Sequence, residues 1–101
     1  MRIYISLPIT GMETEAREKA DKVKSMLSRA GHEVVNPFDI YAGKGSAYAD
    51  YLCADLRALA DCDAIFLCSG WQFSRGCRIE CAFAKEFGLQ VVYEKGDKQS
   101  N

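Results

Sequence analysis

A run of five apolar residues in the second half of the chain most strongly limits the fold. Residues 64–68 read Ala-Ile-Phe-Leu-Cys, and the polar residues Asp63 and Ser69 stand on either side of them. A strand without a polar side chain is typical of a parallel sheet that is covered on both faces. The run therefore predicts an interior strand with helices packed above and below it.

Short β-rich runs alternate with helical patterns along the rest of the chain. The β-rich runs lie at residues 2–6, 33–35 and 89–93, and amphipathic helical patterns lie at residues 13–30, 48–60 and 75–87. The first helical pattern has an apolar stripe that includes Met26 and Ala30, and the second has a buried side that includes Tyr48. Strands that alternate with helices indicate right-handed crossovers and a parallel sheet. We therefore expect an α/β fold, a small doubly wound parallel sheet of the flavodoxin or Rossmann kind with about four strands and three helices.

Size and charge narrow the range of functions. The chain has 101 residues, of which 49% are hydrophobic, which suits one domain at residues 1–94 followed by a polar C-terminal tail at residues 95–101. The net charge of −1 comes from intermixed acids and bases, so nucleic acid is not an expected partner. Neither a signal-peptide core nor an apolar run of membrane-spanning length is found. We expect a cytoplasmic protein without a membrane partner.

The five cysteines are interpreted as reduced, small hydrophobic residues. Their number is odd and no Cys-x-x-Cys spacing occurs. Cys77 and Cys81 share a helical face, but His32 is the only histidine and lies far away in the sequence. We therefore predict neither a metal site nor a bound cofactor.

Glu80 occupies an unusual position for a carboxylate. It lies in the helical segment that begins after Ser74 and ends at Gly88, six positions beyond the Ser cap and on the apolar face. This is too deep for a capping box, and no cation lies three or four residues away. A carboxylate in such a place either finds a partner elsewhere in the fold or is held for chemistry.

The loops at the carboxyl edge of the predicted sheet are the expected ligand-binding region. They span residues 6–12, 36–46 and 69–76, and in a doubly wound sheet ligands bind at this edge where the strand order reverses. Thr10 with Gly11, and Ser74 with Gly76, precede or begin helices whose free N–H groups suit an anion. Thr10 and Ser74 could also serve only as helix caps.

Three segments together carry a resemblance to a known family. They are residues 3–11 (IYISLPITG), Asp55-Leu56 followed by residues 61–64 (DCDA), and residues 74–80 (SRGCRIE) with Ala82 and Ala84. In their order and spacing the chain resembles the nucleoside 2-deoxyribosyltransferase-like superfamily, over nearly its whole length. Within that superfamily it looks like a small branch similar to the nucleoside 5′-monophosphate N-glycosidases.

The resemblance implies roles for three residues that have ordinary structural explanations on their own. Glu80 matches the nucleophile that attacks the anomeric carbon of the sugar. Asp55 matches the Asp that contacts the sugar and assists proton transfer at the base. On its own it is interpreted as a solvated residue on a face different from that of Leu52, Leu56 and Leu59. Tyr4, which strand alternation places on the face opposite Ile3 and Ile5 and which is otherwise a core tyrosine, matches the residue that orients the nucleophile. A Ser at position 74, where nucleoside transferases carry Asp, implies a 5′-monophosphate substrate.

The expected function is therefore an N-glycosidase that cleaves the base–sugar bond of a nucleoside or deoxynucleoside 5′-monophosphate through a covalent glycosyl-Glu80 intermediate. The expected substrate-binding residues are Ser6, Thr10, Gly11, Ser74, Gly76 and Arg78. Arg78 replaces a glycine of better-known members and either contacts phosphate or blocks the pocket. A homodimer is implied by the resemblance. The alternatives are a deoxyribosyltransferase that exchanges bases, a non-catalytic nucleotide-binding or sensing module, and a receiver-like signalling domain.

Overall fold

The computed structural model describes residues 1–95 of the chain. The predicted C-terminal tail, except for Lys95, lies outside the described residues. The helices and strands are β1 (Arg2–Ser6), α1 (Glu13–Arg29), β2 (Glu33–Val35), α2 (Tyr48–Ala60), β3 (Ala64–Leu67), α3 (Arg75–Glu86) and β4 (Gln90–Tyr93). Two single 3₁₀ turns, Pro37–Asp39 and Trp71–Phe73, follow β2 and precede α3.

The four strands form one parallel sheet in the order β2-β1-β3-β4. From β1 the chain moves outward to β2 on one side, and then returns to place β3 on the other side. The strand order therefore reverses between β1 and β3. The structure confirms the predicted α/β fold and places the crevice of a doubly wound sheet at the carboxyl ends of these two strands.

Two hydrophobic cores cover the two faces of the sheet. Ile3 and Ile5 point to the face packed against α1, and Tyr4 points to the opposite face with α2 and α3. All four residues of β3 are buried, as the apolar run at residues 64–68 predicted. This arrangement puts the side chains at the end of β1 directly under the first turns of α3.

Some details of helix burial differ from the sequence pattern. Met26 and Ala30 were expected on the buried stripe of α1 but are exposed, because that helix contacts the sheet through a narrower stripe. That stripe consists of Ala16, Ala20, Val23 and Leu27. Tyr48 was expected in the core of α2, yet it is 49% exposed at the first position of that helix.

The cysteines are free thiols, four of them buried, whereas Cys53 is exposed on α2. Burial raises the pKa of the Cys62 thiol to about 11 and also raises that of Cys77, so these buried thiols are protonated at neutral pH. Within residues 1–95, no helix is long and apolar enough to cross a membrane.

Candidate active site

Glu80 lies at the centre of the candidate site, at the bottom of a cleft between β1, α2 and α3. Ser74 begins α3 as its N-cap, and its Oγ accepts a hydrogen bond from the Cys77 N–H at 3.3 Å. The start of the helix is thereby fixed, and Glu80 then points back at the end of β1 with 6% of its surface exposed. This is the apolar face on which the sequence placed it.

Two hydroxyl groups of β1 hold the Glu80 carboxylate. The Tyr4 hydroxyl donates to Oε2 at 2.8 Å, and the Ser6 hydroxyl donates to Oε1 at 2.7 Å. Tyr4 and Ser6 share a face of β1 because strand residues alternate in direction with a period of two. The partner that the sequence required for Glu80 is thus a pair of neutral donors, and each carboxylate oxygen keeps lone-pair capacity free.

Burial raises the pKa of Glu80 to about 7. The hydrogen bonds from Ser6 and Tyr4 lower it, and the nearby charge of Asp55 raises it further, so desolvation outweighs the two donors. Burial and the Glu80 charge also raise the pKa of Tyr4 well above its ordinary value, which keeps that phenol protonated as a donor. Near neutral pH, the Glu80 carboxyl is thus poised between its charged and neutral forms.

Asp55 reaches the same cleft from α2. Its carboxyl is half-buried, and burial raises its pKa to about 6. The expectation from the sequence pattern alone, a solvated residue on a face different from Leu59, was wrong. The two residues are four apart, so they share a helical face, and Leu59 is fully buried against the sheet.

The cleft has two connected parts. The inner cleft has a volume of about 70 Å³ and holds Glu80 and Asp55. The outer cleft has a volume of about 600 Å³ and opens to solvent beside Arg75 and the exposed Phe73. Residues that line both parts form their junction, namely Ile9, Thr10, Tyr48, Ser74 and Gly76. A ligand can therefore extend from the buried carboxylates to the surface.

Comparison with known proteins assigns the chain to a family. Residues 1–93 match a family described as "Domain of unknown function (DUF4406)". The chain belongs to the DUF4406 family. No curated protein matches it in sequence.

Among solved structures, the DUF4406 domain is similar to the CMP N-glycosidase BcmB from Clostridium botulinum. The TM-score is 0.65 at 20% sequence identity, and the alignment covers 98% of this chain and 75% of the other. At this identity the similarity concerns the fold.

The DUF4406 domain brings three of the six expected binding residues, Thr10, Ser74 and Gly76, to the lining of the cleft. Ser6 is buried and donates to Glu80, and the other two residues lie elsewhere. The Gly11 N–H donates to the Glu13 carboxylate at 3.1 Å, because the helix begins at Glu13 and the loop turns back on itself first. Gly11 lines neither part of the cleft. Thr10 lies at the junction, although it does not cap α1, whose N-cap is Met12.

Arg78 also lies outside the cleft, so it neither blocks the pocket nor lines it. Its side chain is exposed and donates to the Gln72 carbonyl at 2.9 Å. Residues two apart on a helix point in nearly opposite directions, so Arg78 cannot share the face of Glu80. The substitution of a glycine by Arg at this position is therefore accommodated on the outer surface of α3.

Several cleft residues were missed in the sequence analysis, Tyr48 and Arg75 among them. Tyr48 was read as a core residue of α2, because an aromatic residue at helical spacing usually is one. Arg75 was not among the expected binding residues. Its position gave a usable signal, since a cation in the first turn of a helix opposes the helix dipole.

Among residues 1–95, no cluster of three or more His, Cys, Asp or Glu side chains could hold a metal ion.

Proposed function

We propose that this protein is an N-glycosidase that cleaves the base–sugar bond of a nucleoside or deoxynucleoside 5′-monophosphate. The observation that carries the proposal is the buried Glu80 carboxylate, which Tyr4 and Ser6 hold in the cleft and which forms no ion pair with any cation of residues 1–95. A salt bridge would neutralise the charge, whereas two hydroxyl donors orient the carboxylate and leave it nucleophilic. Such a group suits a sugar centre that develops positive charge as the base departs.

In the proposed first step, a Glu80 oxygen attacks the anomeric carbon and forms a glycosyl ester. The bond between that carbon and the base nitrogen breaks, and its electron pair stays on the nitrogen. Asp55 delivers a proton to the departing base. Its half-buried place in the same cleft and its pKa of about 6 support this role, since a fraction of the carboxyl is protonated near neutral pH.

In the second step, water attacks the anomeric carbon and the ester bond to Glu80 breaks. The electron pair returns to the Glu80 carboxylate, and Asp55, now ionised, accepts a proton from the water. The products are the free base and a sugar 5-phosphate, and both carboxyl groups regain their starting states. Tyr4 and Ser6 keep the nucleophile in place throughout by hydrogen bonding.

Three features support a phosphorylated substrate. The hydroxyl groups of Thr10 and Ser74 line the junction of the cleft, where the N-terminus of α3 favours an anion. Position 74 carries Ser, as in the nucleotide hydrolases that the chain resembles, and not the Asp of nucleoside transferases. The fold is similar to that of a protein named as a CMP N-glycosidase. We therefore place the chain, as part of this proposal, beside the nucleoside 2-deoxyribosyltransferase-like enzymes.

A non-catalytic nucleotide sensor is the main competing function. It would have no use for two buried or half-buried carboxyl groups, Glu80 and Asp55, beside an anionic ligand. Base transfer to a second base shares the first step with hydrolysis and differs only in what attacks the glycosyl ester.

Measuring the release of free base tests the proposal. The substrates are a panel of ribo- and deoxyribonucleoside 5′-monophosphates and the matching nucleosides. Wild type should release base from at least one monophosphate, and Glu80→Ala should abolish release. Glu86→Ala, which removes an exposed glutamate from the same helix, should keep it. No release from any substrate would overturn the hydrolase, and release only when an acceptor base is added would identify a transferase.

A further inference from the structure

The cleft has opposite charges at its two ends. Its bottom holds the carboxyl groups of Glu80 and Asp55, and its outer part is lined by the Arg75 side chain. A ligand that fills the whole cleft should therefore present an electron-poor centre at the bottom and an anion at the rim. A nucleotide with its anomeric carbon at Glu80 and its phosphate outward has this polarity.

Arg75 lies at the N-terminus of α3, where a positive charge is unfavourable unless an anion binds beside it. It is the first residue of α3, whose first turn contains no acidic residue, so its charge adds to the positive end of the helix dipole. Among the ion pairs of residues 1–95, none involves Arg75. Its charge is thus available to a ligand.

Tyr48 holds the Arg75 side chain beside the outer cleft. The guanidinium carbon lies 5.6 Å from the centre of the Tyr48 ring, within the range of a cation–π contact. On its other side, the Tyr48 hydroxyl lies close to Gly76, where an added methyl group would come within 3.0 Å of it. Tyr48 therefore lies at the junction of the two parts of the cleft and presents Arg75 to the outer one.

We propose that Arg75, supported by Tyr48, binds the 5′-phosphate of the substrate in the outer cleft and makes the enzyme select nucleotides over nucleosides. This inference rests on the proposed function. A guanidinium offers parallel N–H donors that match two phosphate oxygens, and the Ser74 hydroxyl lies beside it at the same helix start. A phosphate held by Arg75 and Ser74 lies on the outer side of the junction, and the sugar then points inward toward Glu80.

Arg78 provides a matched control for Arg75. It carries the same charge and lies three residues further along α3, but its side chain donates to the Gln72 carbonyl and lines neither part of the cleft. Replacing either arginine by glutamine removes one positive charge from the same end of α3. If the arginines act only through the overall electrostatic field, both variants should show the effect. If Arg75 binds the phosphate directly, only Arg75→Gln should show it.

The first measurement is kcat and KM for a nucleoside monophosphate and for its nucleoside in Arg75→Gln and Arg78→Gln. Arg75→Gln should raise KM for the monophosphate at least tenfold, change kcat little, and leave cleavage of the nucleoside unchanged. Arg78→Gln should behave as wild type. Arg75→Lys should recover part of the loss, because it restores a cation without the planar fork. Equal effects of the two glutamine variants would overturn the inference.

The second measurement is binding of the same monophosphate by calorimetry in a Glu80→Gln background, with and without Arg75→Gln. Binding that weakens at least tenfold on loss of Arg75 supports the inference even if the wild type releases no base, in which case only the proposed hydrolase fails. Base release together with binding that is indifferent to Arg75 overturns the inference and leaves the hydrolase standing.

Discussion

The Tyr4 hydroxyl lies 2.8 Å from Oε2 of Glu80 and donates a hydrogen bond to it, although 76 residues separate the two in sequence. Tyr4 is fully buried in β1, so its ring cannot move without disturbing the sheet. The bond therefore fixes one oxygen of Glu80 relative to β1, an interior strand that pairs with β2 and β3. Ser6 fixes the other oxygen from the same strand.

Tyr4→Phe should lower base release at neutral pH while leaving the fold intact. The hydrogen bond from Tyr4 lowers the pKa of Glu80, so its loss raises that pKa further and leaves less of the ionised nucleophile. A hydrogen bond to a charged group is worth about 1.5–3 kcal/mol, which corresponds to a loss of roughly 10- to 100-fold in kcat/KM. The acidic limb of the pH–rate profile should move to higher pH.

Tyr41→Phe provides the control for this change, because Tyr41 is 81% exposed and lies outside the cleft. It should match wild type at every pH. A Tyr4→Phe enzyme with an unshifted acidic limb would show that the phenol does not tune the carboxylate.

Glu80→Gln should make the protein more stable than wild type as the pH rises. Burial raises the pKa of Glu80 from 4.5 to about 7, so the native state binds this proton more tightly than the unfolded state does. Below pH 4.5 the Glu80 carboxyl is protonated in both the native and the unfolded state, so it does not lower the free energy of unfolding. Between pH 4.5 and 7 a cost grows, and above pH 7 it reaches its full value, on the order of 3 kcal/mol.

Urea unfolding of wild type and Glu80→Gln at several pH values measures this cost. Groups that titrate alike in both proteins cancel in the difference between their free energies of unfolding. The free energy of unfolding of Glu80→Gln, relative to that of wild type, should increase between pH 4.5 and 7 and become constant above pH 7. A difference that does not change with pH would show that the carboxyl is not desolvated in the native state.

Asp55→Asn should remove the basic limb of the pH–rate profile. The first step needs Asp55 protonated and Glu80 ionised, and burial raises both pKa values, to about 6 and about 7. A bell-shaped profile of kcat/KM is expected, whose two apparent pKa values belong to the coupled pair. Asparagine cannot supply the proton, so the maximum should also fall by roughly 10²- to 10⁴-fold.

Asp21→Asn, at an exposed position on α1, is the matched substitution outside the cleft and should leave the profile unchanged. A basic limb that persists in Asp55→Asn would assign the proton donor to another group.

Gly76→Ala should reduce turnover without reducing stability. The backbone at Gly76 is helical, and alanine is favoured over glycine in a helix by up to about 1 kcal/mol. However, the new methyl group would lie 3.0 Å from the Tyr48 hydroxyl, at the junction of the inner and outer clefts. The tyrosine ring must shift at this junction and disturb its contact with Arg75, so kcat/KM should fall.

The double variant Gly76→Ala with Tyr48→Phe tests this explanation. Without the hydroxyl the methyl group has room, and much of the lost kcat/KM should return. A double variant as impaired as Gly76→Ala alone would place the defect elsewhere in the cleft.

Local patterns were sufficient to predict the elements and the fold. The Ser74 cap and the downstream Gly88 predicted α3, and the apolar run at residues 64–68 predicted a strand covered on both faces. Alternation along β1 correctly placed Tyr4 on the face opposite Ile3 and Ile5. These features depend on caps, turns and periodicity, which are determined by residues close together in the sequence.

The parts of the site that were not predicted depend on how elements pack against one another. The side of α2 that carries Asp55 faces the cleft only because Leu59, one turn further on, packs against the sheet. The donation from Ser6 to Glu80 requires the register between β1 and α3. Likewise, Arg75 lies at the cleft whereas Arg78 lies outside it, which depends on the rotation of α3 about its axis.

The stereochemistry of the reaction tests the role of Glu80 most directly. Base release from a β-nucleotide in the presence of methanol, followed by NMR of the methyl glycoside phosphate, reports the configuration at the anomeric carbon. Two successive displacements through a glycosyl-Glu80 ester predict retention, that is, the β-methyl product. The α-methyl product would mean that the acceptor attacks the nucleotide directly, and it would contradict a nucleophilic role for Glu80.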